Sequence, residues 1–555
     1  MRYRWLKIKR YVFPVLSFGL NLLTALFWVA LRINHSGISK FLGADTNPSF
    51  LIMNLPLMVT AAACLSCALS LWGLTGWDRR RWPAITGFVL GLIFTCAAVA
   101  VVIFGAKDYL RFILPHFFES LAVAGIIIGF ALVLYFPIRG SSWLKRLILA
   151  AVILCAIVLG YELRPCVFSY GAVVYAVEND YQIVFSTSDS AIAWVEIGGE
   201  RYYDLYAGSM RSADRVHKIE VPQSALDEAE GYSIHAKQMI YRGPFGGYLG
   251  KEISESYAFR PVDSSDGLQY FALSDVHEAV DAAAAAAAGE QDFIVLIGDL
   301  VSMVETQKDA QLANELAHKI TGGEYPVIYA RGNHEIKGEY AEDLYKYVGA
   351  RGQDYYYTVT LGDVFAVVLD MGEDHEDDWW EYYGTAQFDL YRQKQTEFLK
   401  DVLEAGEYAN YRYRLALCHI PIQHVDGKFE TFKQEWTRLL NEMGLDMCLS
   451  GHKHELWPFI PGQAEPNTAL NSKGHYLTDF SFPGFLVGRR SMEIEGDTQN
   501  NGYDQYTGLQ VRVDFADGAQ TACYVNSQRK IPEGTYPFGE GRFGIIRLEL
   551  KRTEK

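Results

Sequence analysis

Basic charge and cysteine are scarce in this chain, and so is any polar, low-complexity stretch long enough to stay unfolded. The 555 residues include 8 cysteines, too few and too scattered for a disulfide framework. Only 21% of residues are charged, and 50 Lys and Arg stand against 66 Asp and Glu, a net of −16. With that balance and no basic stripe, a nucleic-acid-binding scaffold is not expected, because acidic surface repels a phosphate backbone. A hydrophobic content of 50%, with 14% aromatics, excludes a disordered chain. The average charge conceals a division. Residues 1–165 hold 16 basic and 5 acidic side chains, whereas residues 166–555 hold 34 and 61.

What the first 165 residues do have is long apolar runs: Tyr11–Leu31, Phe50–Trp77, Trp82–Ala106, Phe112–Ile138, in which Glu119 is the one acidic residue, and the shorter Leu147–Tyr161. A bilayer core of ~30 Å takes about 20 apolar residues as a helix, so these runs predict a multi-pass α-helical membrane domain of about five spans. Basic residues concentrate in the N-terminal tail, the Arg79-Arg80-Arg81 loop and the Arg139–Arg146 loop. The positive-inside rule then predicts a cytoplasmic N-terminus, a lipid bilayer as partner, and a catalytic region placed extracytoplasmically at the cell membrane. His116 and Glu119 are expected at the headgroup level of the fourth span. Cys64, Cys67, Cys96 and Cys155 are read as inert residues of the apolar runs. A Cys166–Cys523 bridge has nothing in the sequence to support it.

From Cys166 to Asp263 the pattern changes to short strand-like runs, Gly171–Val177, Tyr181–Ser186, Ala191–Ile197, His217–Val221 and Tyr232–Tyr241, with Gly198-Gly199 as a hairpin turn. Several strands in about 100 residues predict a β-sandwich over 166–263. The order of "YQIVFSTSDSAIAWVEIGG", "HKIEVPQSAL" and "YSIHAKQM" resembles the fibronectin-III-like module that precedes the catalytic domain of purple acid phosphatases.

Residues 264–555 form the third expected domain. Apolar runs of strand composition (Leu268–Ser274, Phe293–Ile297, Val327–Ala330, Phe365–Leu369, Arg414–Cys418, Met447–Ser450) alternate with helical stretches at 278–289, 308–320, 388–403 and 431–443. Such alternation argues a layered α/β domain. The alanine run in the first helical stretch is explained by helix propensity. Five strand ends deliver Asp, His or Asn: Asp275-Val276-His277, Gly298-Asp299, Gly332-Asn333-His334-Glu335, His419, and Gly451-His452-Lys453-His454. Loops outside the carboxyl ends of strands are where α/β folds build sites. Carboxylate, amide and imidazole donors without thiolate suit Mn, Fe, Zn or Co, and seven donors suit two ions sharing a carboxylate. After about residue 490, Gln510–Phe515, an Asp517-Gly518 turn and Thr521–Asn526 predict a terminal hairpin.

The blocks DxH, GD, GNHE, H and GHxH, in this order, resemble the calcineurin-like metallophosphoesterases, in the purple-acid-phosphatase-like branch. The resemblance implies an α-β-β-α layered sandwich and a metal-dependent hydrolase of phosphate mono- or diesters, with a phosphorylated substrate. It implies that Asp275, His277 and His454 bind one metal, Asn333, His419 and His452 a second, and that Asp299 bridges them. Two metals ~3.5–4 Å apart activate a bridging water and clamp phosphoryl oxygens. His334 resembles the general acid, and Arg331, in the run "ARGNHE", resembles the arginine that holds phosphate in serine/threonine phosphoprotein phosphatases. For Arg331 a plain ion pair is the competing reading. Glu335 either orients His334 or satisfies its turn. Ser302 stands where purple acid phosphatases carry a tyrosinate ligand, so a purple Fe(III) centre is not expected.

The segment around "LDMGEDHEDDWWEYYG" resembles an insertion of secreted relatives. Its acidic run, Glu373, Asp374, Glu376, Asp377 and Asp378, is read as a solvated loop, with a substrate entrance as the alternative; that many carboxylates disfavour polyanionic substrates. His375 and His424 are pocket-rim candidates, whereas His217, His235, His318 and His475 are ordinary histidines. The alternatives to an enzyme are a metal-binding receptor or scaffold pseudo-enzyme, and a sensor whose membrane domain is the main functional unit.

Overall fold

The computed structural model describes residues 165–242, 247–422, 430–454, 456–461, 479–490, 506–530 and 545–550, with a few positions between 19 and 96. Its contacts divide the chain into two units. One holds 166–238 with 252–555, and the other holds 1–165 with 239–251.

The chain proceeds through β1 (Phe168–Val177), β2 (Asp180–Ile197), the short β3 (Glu200–Tyr203), β4 (Leu205–Tyr206) and β5 (Met210–Arg211), β6 (Asp214–Pro222), α1 (Gln223–Ala229), β7 (Gly231–Arg242) and β8 (Gly247–Ala258). Strands and helices then alternate: β9 (Leu268–Leu273), α2 (Val280–Ala286), β10 (Phe293–Ile297), α3 (Leu312–Thr321) and β11 (Val327–Ala330). After β12 (Tyr357–Leu361) and β13 (Val364–Leu369) come α4 (Phe388–Ala405), β14 (Tyr413–Cys418), α5 (Glu430–Met443), β15 (Met447–Ser450), β16 (Trp457–Phe459) and β17 (Gly484–Leu486). β18 (Arg489–Arg490), β19 (Tyr506–Asp514), β20 (Ala519–Asn526) and β21 (Ile546–Glu549) follow.

Two sheets face each other. One runs β21-β20-β19-β9-β10-β11-β1-β2-β7-β8 and the other β12-β13-β14-β15-β17-β16. Period-two alternation in each strand separates the layers. Tyr270 and Ala272 of β9, Phe293, Val295 and Ile297 of β10, Ala366 and Val368 of β13, and Leu415 and Leu417 of β14 share the core between the sheets. Phe271, Leu273, Ile294 and Leu296 turn outward against Ala283, Ala286, Leu316 and Ala317 of α2 and α3. On the far side Val367, Leu369 and Ala416 meet Leu399, Trp436 and Leu440 of α4 and α5. Burying one large apolar side chain stabilises by ~1.5–3 kcal/mol, so strands apolar on both faces are committed to the interior. The alanine run packs inward, its small side chains letting α2 approach the sheet.

Two parts of the expected architecture are corrected. The predicted multi-pass α-helical membrane domain is not supported: among the described residues, no helix is long and apolar enough to cross a membrane. The longest described helix, α4, has 18 residues but carries Asp389, Arg392, Lys394, Glu397, Lys400, Asp401 and Glu404. Most of the five apolar runs lie outside the described residues, as do His116, Glu119, Cys64, Cys67 and Cys155, and the expected sidedness of the chain rested on those runs. Nor does 166–263 make a separate β-sandwich. β1 pairs in parallel with β11, Tyr175 opposite Val327, so β1, β2, β6 and β7 continue the sheet that carries the site. The physical reason is that β1 is apolar on both faces: Ala172, Val174 and Ala176 enter the inter-sheet core, and Val173 and Tyr175 enter the layer of α3. The two runs 181–186 and 191–197 are one 18-residue strand, β2, irregular in register between Ser186 and Ala191. Cys166, Cys418, Cys448 and Cys523 are free thiols.

Candidate metal centre

The carboxyl ends of β9, β10, β11, β14 and β15 converge, and the side chains that follow them meet. Tight turns bring them there. Asp275, His277, Asp299, His452 and His454 all have positive φ, between 41° and 69°. Left-handed backbone at non-glycine residues costs of order 1–3 kcal/mol each and persists only where the surroundings enforce it. Gly298, at φ 67°, passes so close to the next strand end that a Cβ would lie 2.2 Å from the Gly332 nitrogen.

Three overlapping groups of metal-ligating atoms result: Asp275 with His277 and His454, Asp299 with His419 and His452, and His277 with Asp299 and His334. His454 Nε2 lies 3.6 Å from Asp275 Oδ1, and the His454 and His277 rings stack at 4.9 Å. His419 Nδ1 donates to the Ile297 carbonyl at 2.6 Å, which directs Nε2 at Asp299 Oδ2, 3.0 Å away. Asn333 Oδ1 lies 3.1 Å from His452 Nδ1, whose other nitrogen, Nε2, is 3.1 Å from Asp374 Oδ2. All seven residues expected to hold metal are therefore brought together, and Asp299 stands among the histidines of both groups.

The donor set fits cations. Asn333 Oδ1 and the Asp374 carboxylate both only accept, so a neutral His452 ring can donate to one of them and must turn a lone pair toward the other. Lone-pair atoms ~3 Å apart are the spacing of neighbouring ligands on one ion at ~2.0–2.2 Å. The electrostatics agree. Burial works to raise Asp299, but the charge and hydrogen bond of His419 outweigh it and hold the carboxyl well below the usual range. Asp275 goes the other way, pushed up to about 8 by burial, with the Asp299 charge adding to it. Burial, helped by the neighbouring histidines, pushes His277 down to about 4. Burial opposes protonation of His419 too, yet Asp299 and Asp275 carry it up to about 10. Carboxylates and imidazoles this close need compensating positive charge, which a proton supplies at His419 and which cations would supply across the whole group.

His334 follows Asn333 and faces the same space. Its Nδ1 donates to the Ser302 carbonyl at 2.7 Å, and Nε2 lies 3.9 Å from Asp299 Oδ2 on a ring that keeps 31% exposure. Ser302 is thus a backbone partner of His334, and its own N–H and hydroxyl go to Glu278. Glu335 does not touch His334. Its carboxylate accepts from the backbone N–H groups of Asp299 (2.8 Å), Leu300 (2.7 Å) and Gly332 (3.0 Å), tying two ligand-bearing turns together. Arg331 directs Nε to Asp370 Oδ2 at 2.7 Å and lays its plane 4.0 Å over Tyr355. Tyr391 donates to the same Asp370 oxygen. The guanidinium is thus held in a buried ion pair.

The loop after β13 holds what sequence reasoning missed. Glu373 is buried at 2% exposure and accepts from Asn333 Nδ2 at 3.1 Å on both oxygens, while Asp374 meets His452 and Lys453. The signal was present, since these residues follow a strand end as the ligands do. Of the five carboxylates in the run only Asp378 is exposed, so the solvated reading holds for that residue and not for the buried Glu373. His375 stacks on Trp379 at 4.0 Å, and His424 lies outside the described residues.

Residues 268–456 match the family model of the calcineurin-like phosphoesterases. No curated protein matches the chain significantly. Among solved structures, one of PhoD is 11% identical, covering 64% of this chain and 85% of its own, with a TM-score of 0.37. One of the S-layer protein rSbsC(31-844) is 7% identical, covering 44% and 33%, with a TM-score of 0.13. The family match stands on its own, and the segment holding the site is a calcineurin-like, metal-dependent phosphoesterase domain.

Proposed function

We propose that this domain hydrolyses phosphate mono- or diesters at two adjacent metal positions, one formed by Asp275, His277 and His454, the other by Asn333, His419 and His452, with Asp299 shared. The observation that carries the reading is the convergence of these side chains into overlapping ligand groups around Asp299. Metal ions bound there would supply an activated water and a clamp for the phosphoryl oxygens. The chain's own residues do the rest. His419, fixed by the Ile297 carbonyl, presents Nε2, and Asp299, kept ionised, serves both positions. His334, its Nδ1 committed to Ser302, has Nε2 available to hand a proton to the departing alkoxide. Arg331, locked on Asp370 and Tyr355, shapes the turn that delivers Asn333; contact with a substrate phosphate would require it to keep that pair while turning an outer nitrogen to the ligand. The domain takes a phosphorylated substrate and Mn, Fe, Zn or Co.

The test is hydrolysis of p-nitrophenyl phosphate and bis-p-nitrophenyl phosphate by the full chain with added Mn²⁺. Turnover that disappears in Asp299→Asn is expected. In His334→Asn, kcat falls by roughly 10²–10⁴ for alkyl esters and by far less for nitrophenyl esters, whose leaving group needs no proton. Two bound metal ions without turnover on any ester would overturn the reading in favour of a metal-binding receptor or scaffold.

A further inference from the structure

The acidic run after β13 is where the structure departs furthest from a solvated loop. Its first two carboxylates meet Asn333 and His452, ligands of one metal position. Asn333 can offer either end of its amide to a cation, and only the oxygen binds. Glu373 removes the choice, because a carboxylate accepts and so must face the NH₂ end; both its oxygens lie 3.1 Å from Asn333 Nδ2, which turns Oδ1 toward His452. His452 has a comparable ambiguity between two ring nitrogens. Asp374 Oδ2, 3.1 Å from Nε2, takes the proton-bearing nitrogen and leaves Nδ1 as the lone-pair atom beside Asn333 Oδ1.

The loop itself is built to hold these positions. Arg392 of α4, buried at 3% exposure, donates to the backbone carbonyls of Glu373 and His375. Tyr382 donates to Glu373 at 2.6 Å, and Lys337 lies 3.3 Å from the same oxygen. At Gly372, with φ 71°, a Cβ would come 2.6 Å from the Phe388 ring, so the turn into Glu373 fits flush against α4.

We propose that Glu373 and Asp374 are positioning residues for the Asn333–His419–His452 metal position, Glu373 fixing the amide orientation of Asn333 and Asp374 the tautomer of His452. The inference rests on the two-metal reading above. Outer carboxylates of this kind orient a ligand and raise its basicity, and losing one typically weakens metal affinity ~10–100-fold. The ligands these carboxylates meet, Asn333 and His452, belong to one position of the pair, and the effect is expected there.

The experiment is equilibrium dialysis of the full chain against Mn²⁺, with metal counted per chain and Mn(II) electron paramagnetic resonance on the same samples. Asp374→Ala and Glu373→Ala should keep one ion at wild-type affinity and bind the second ~10–100-fold more weakly, replacing the spectrum of a coupled pair by that of a single ion. Asp374→Asn and Glu373→Gln, which keep an accepting oxygen, should recover most of the second site. Asp378→Asn, in the same run but exposed, should match the wild type. Circular dichroism keeps the reading separate from loss of fold; should Glu373→Ala unfold, Asp374→Ala decides alone. A wild type with two ions and an Asp374→Ala variant that binds both equally well, or loses both equally, overturns this inference and leaves the two-metal reading standing. A folded wild type that takes up fewer than two ions overturns both.

Discussion

Replacing Gly451 with alanine tests how tightly the strand ends are drawn together. Gly451 opens the GHxH turn after β15, and its N–H donates to the His419 carbonyl at the end of β14. A Cβ on it would sit 1.8 Å from Ser274 Oγ and 2.6 Å from Asp275 Oδ2, at the end of β9. Neither atom has slack. The buried Ser274 hydroxyl donates to the Ile297 carbonyl at 2.8 Å, and both Asp275 oxygens lie 3.0 Å from the His452 N–H. Restoring ordinary contact at ~3.4 Å requires Asp275 Oδ2 to move by about 0.8 Å and Ser274 Oγ by about twice that. A metal centre tolerates ligand displacements of ~0.5 Å, and a ~1 Å misplacement costs on the order of 10²-fold in rate. Overpacking costs ~1–3 kcal/mol, which a domain with ~5–15 kcal/mol of stability survives. Gly451→Ala should therefore stay folded, with a melting temperature a few degrees lower, while kcat/KM for p-nitrophenyl phosphate falls ~100-fold and the Asp275–His277–His454 position loses metal. Gly352→Ala is the control: nothing lies within 4 Å of its Cβ, and its φ of 63° penalises stability without touching the site. A folded Gly451→Ala protein with full metal content and wild-type turnover would refute the reasoning.

Two further outcomes follow from buried groups. Burial, reinforced by Asp299, pushes Glu335 up to about 7, so at pH 8 it is ionised and its three backbone bonds are carboxylate bonds. Glu335→Gln sets an NH₂ against at least one of those N–H groups and should lower unfolding free energy by ~1–3 kcal/mol at pH 8, measured by urea titration; an unchanged midpoint would show that Glu335 does not hold the turns. Burial lowers Lys218 to about 8, against the ordinary 10.5 of the unfolded chain. Between those pH values the unfolded chain binds the extra proton, so Lys218 makes stability rise with pH across that window, by roughly 3 kcal/mol in all. In Lys218→Met that contribution is absent, and parallel pH–stability curves for variant and wild type would contradict it.

Legibility in the sequence followed the physics of each signal. β9, β10, β11, β14 and β15 were visible because strands buried on both faces are short, uninterrupted apolar runs. The helices over 388–405 and 430–443 were visible through their period. β12 and β8 were not anticipated, since half-exposed strands with mixed side chains lack a contrast to detect. Glu373 looked like its solvated neighbours because acidic residues in a row share a composition, and only one or two of them face inward.

Chemistry in this protein is local and was therefore written in the chain: the residue types at five strand ends state which atoms are available, and their order is that of the family whose model matches residues 268–456. The apolar runs at the N-terminus, by contrast, predict spans by length alone, and among the described residues no helix is long and apolar enough to cross a membrane. Tertiary structure decided what no local pattern encodes. It attached β1 to β11 and so made one sheet of two expected domains, because pairing partners are chosen by three-dimensional burial on both faces. It also decided which end of the Asn333 amide faces the cluster, since an orientation depends on a neighbour forty residues away that the fold alone brings within 3.1 Å.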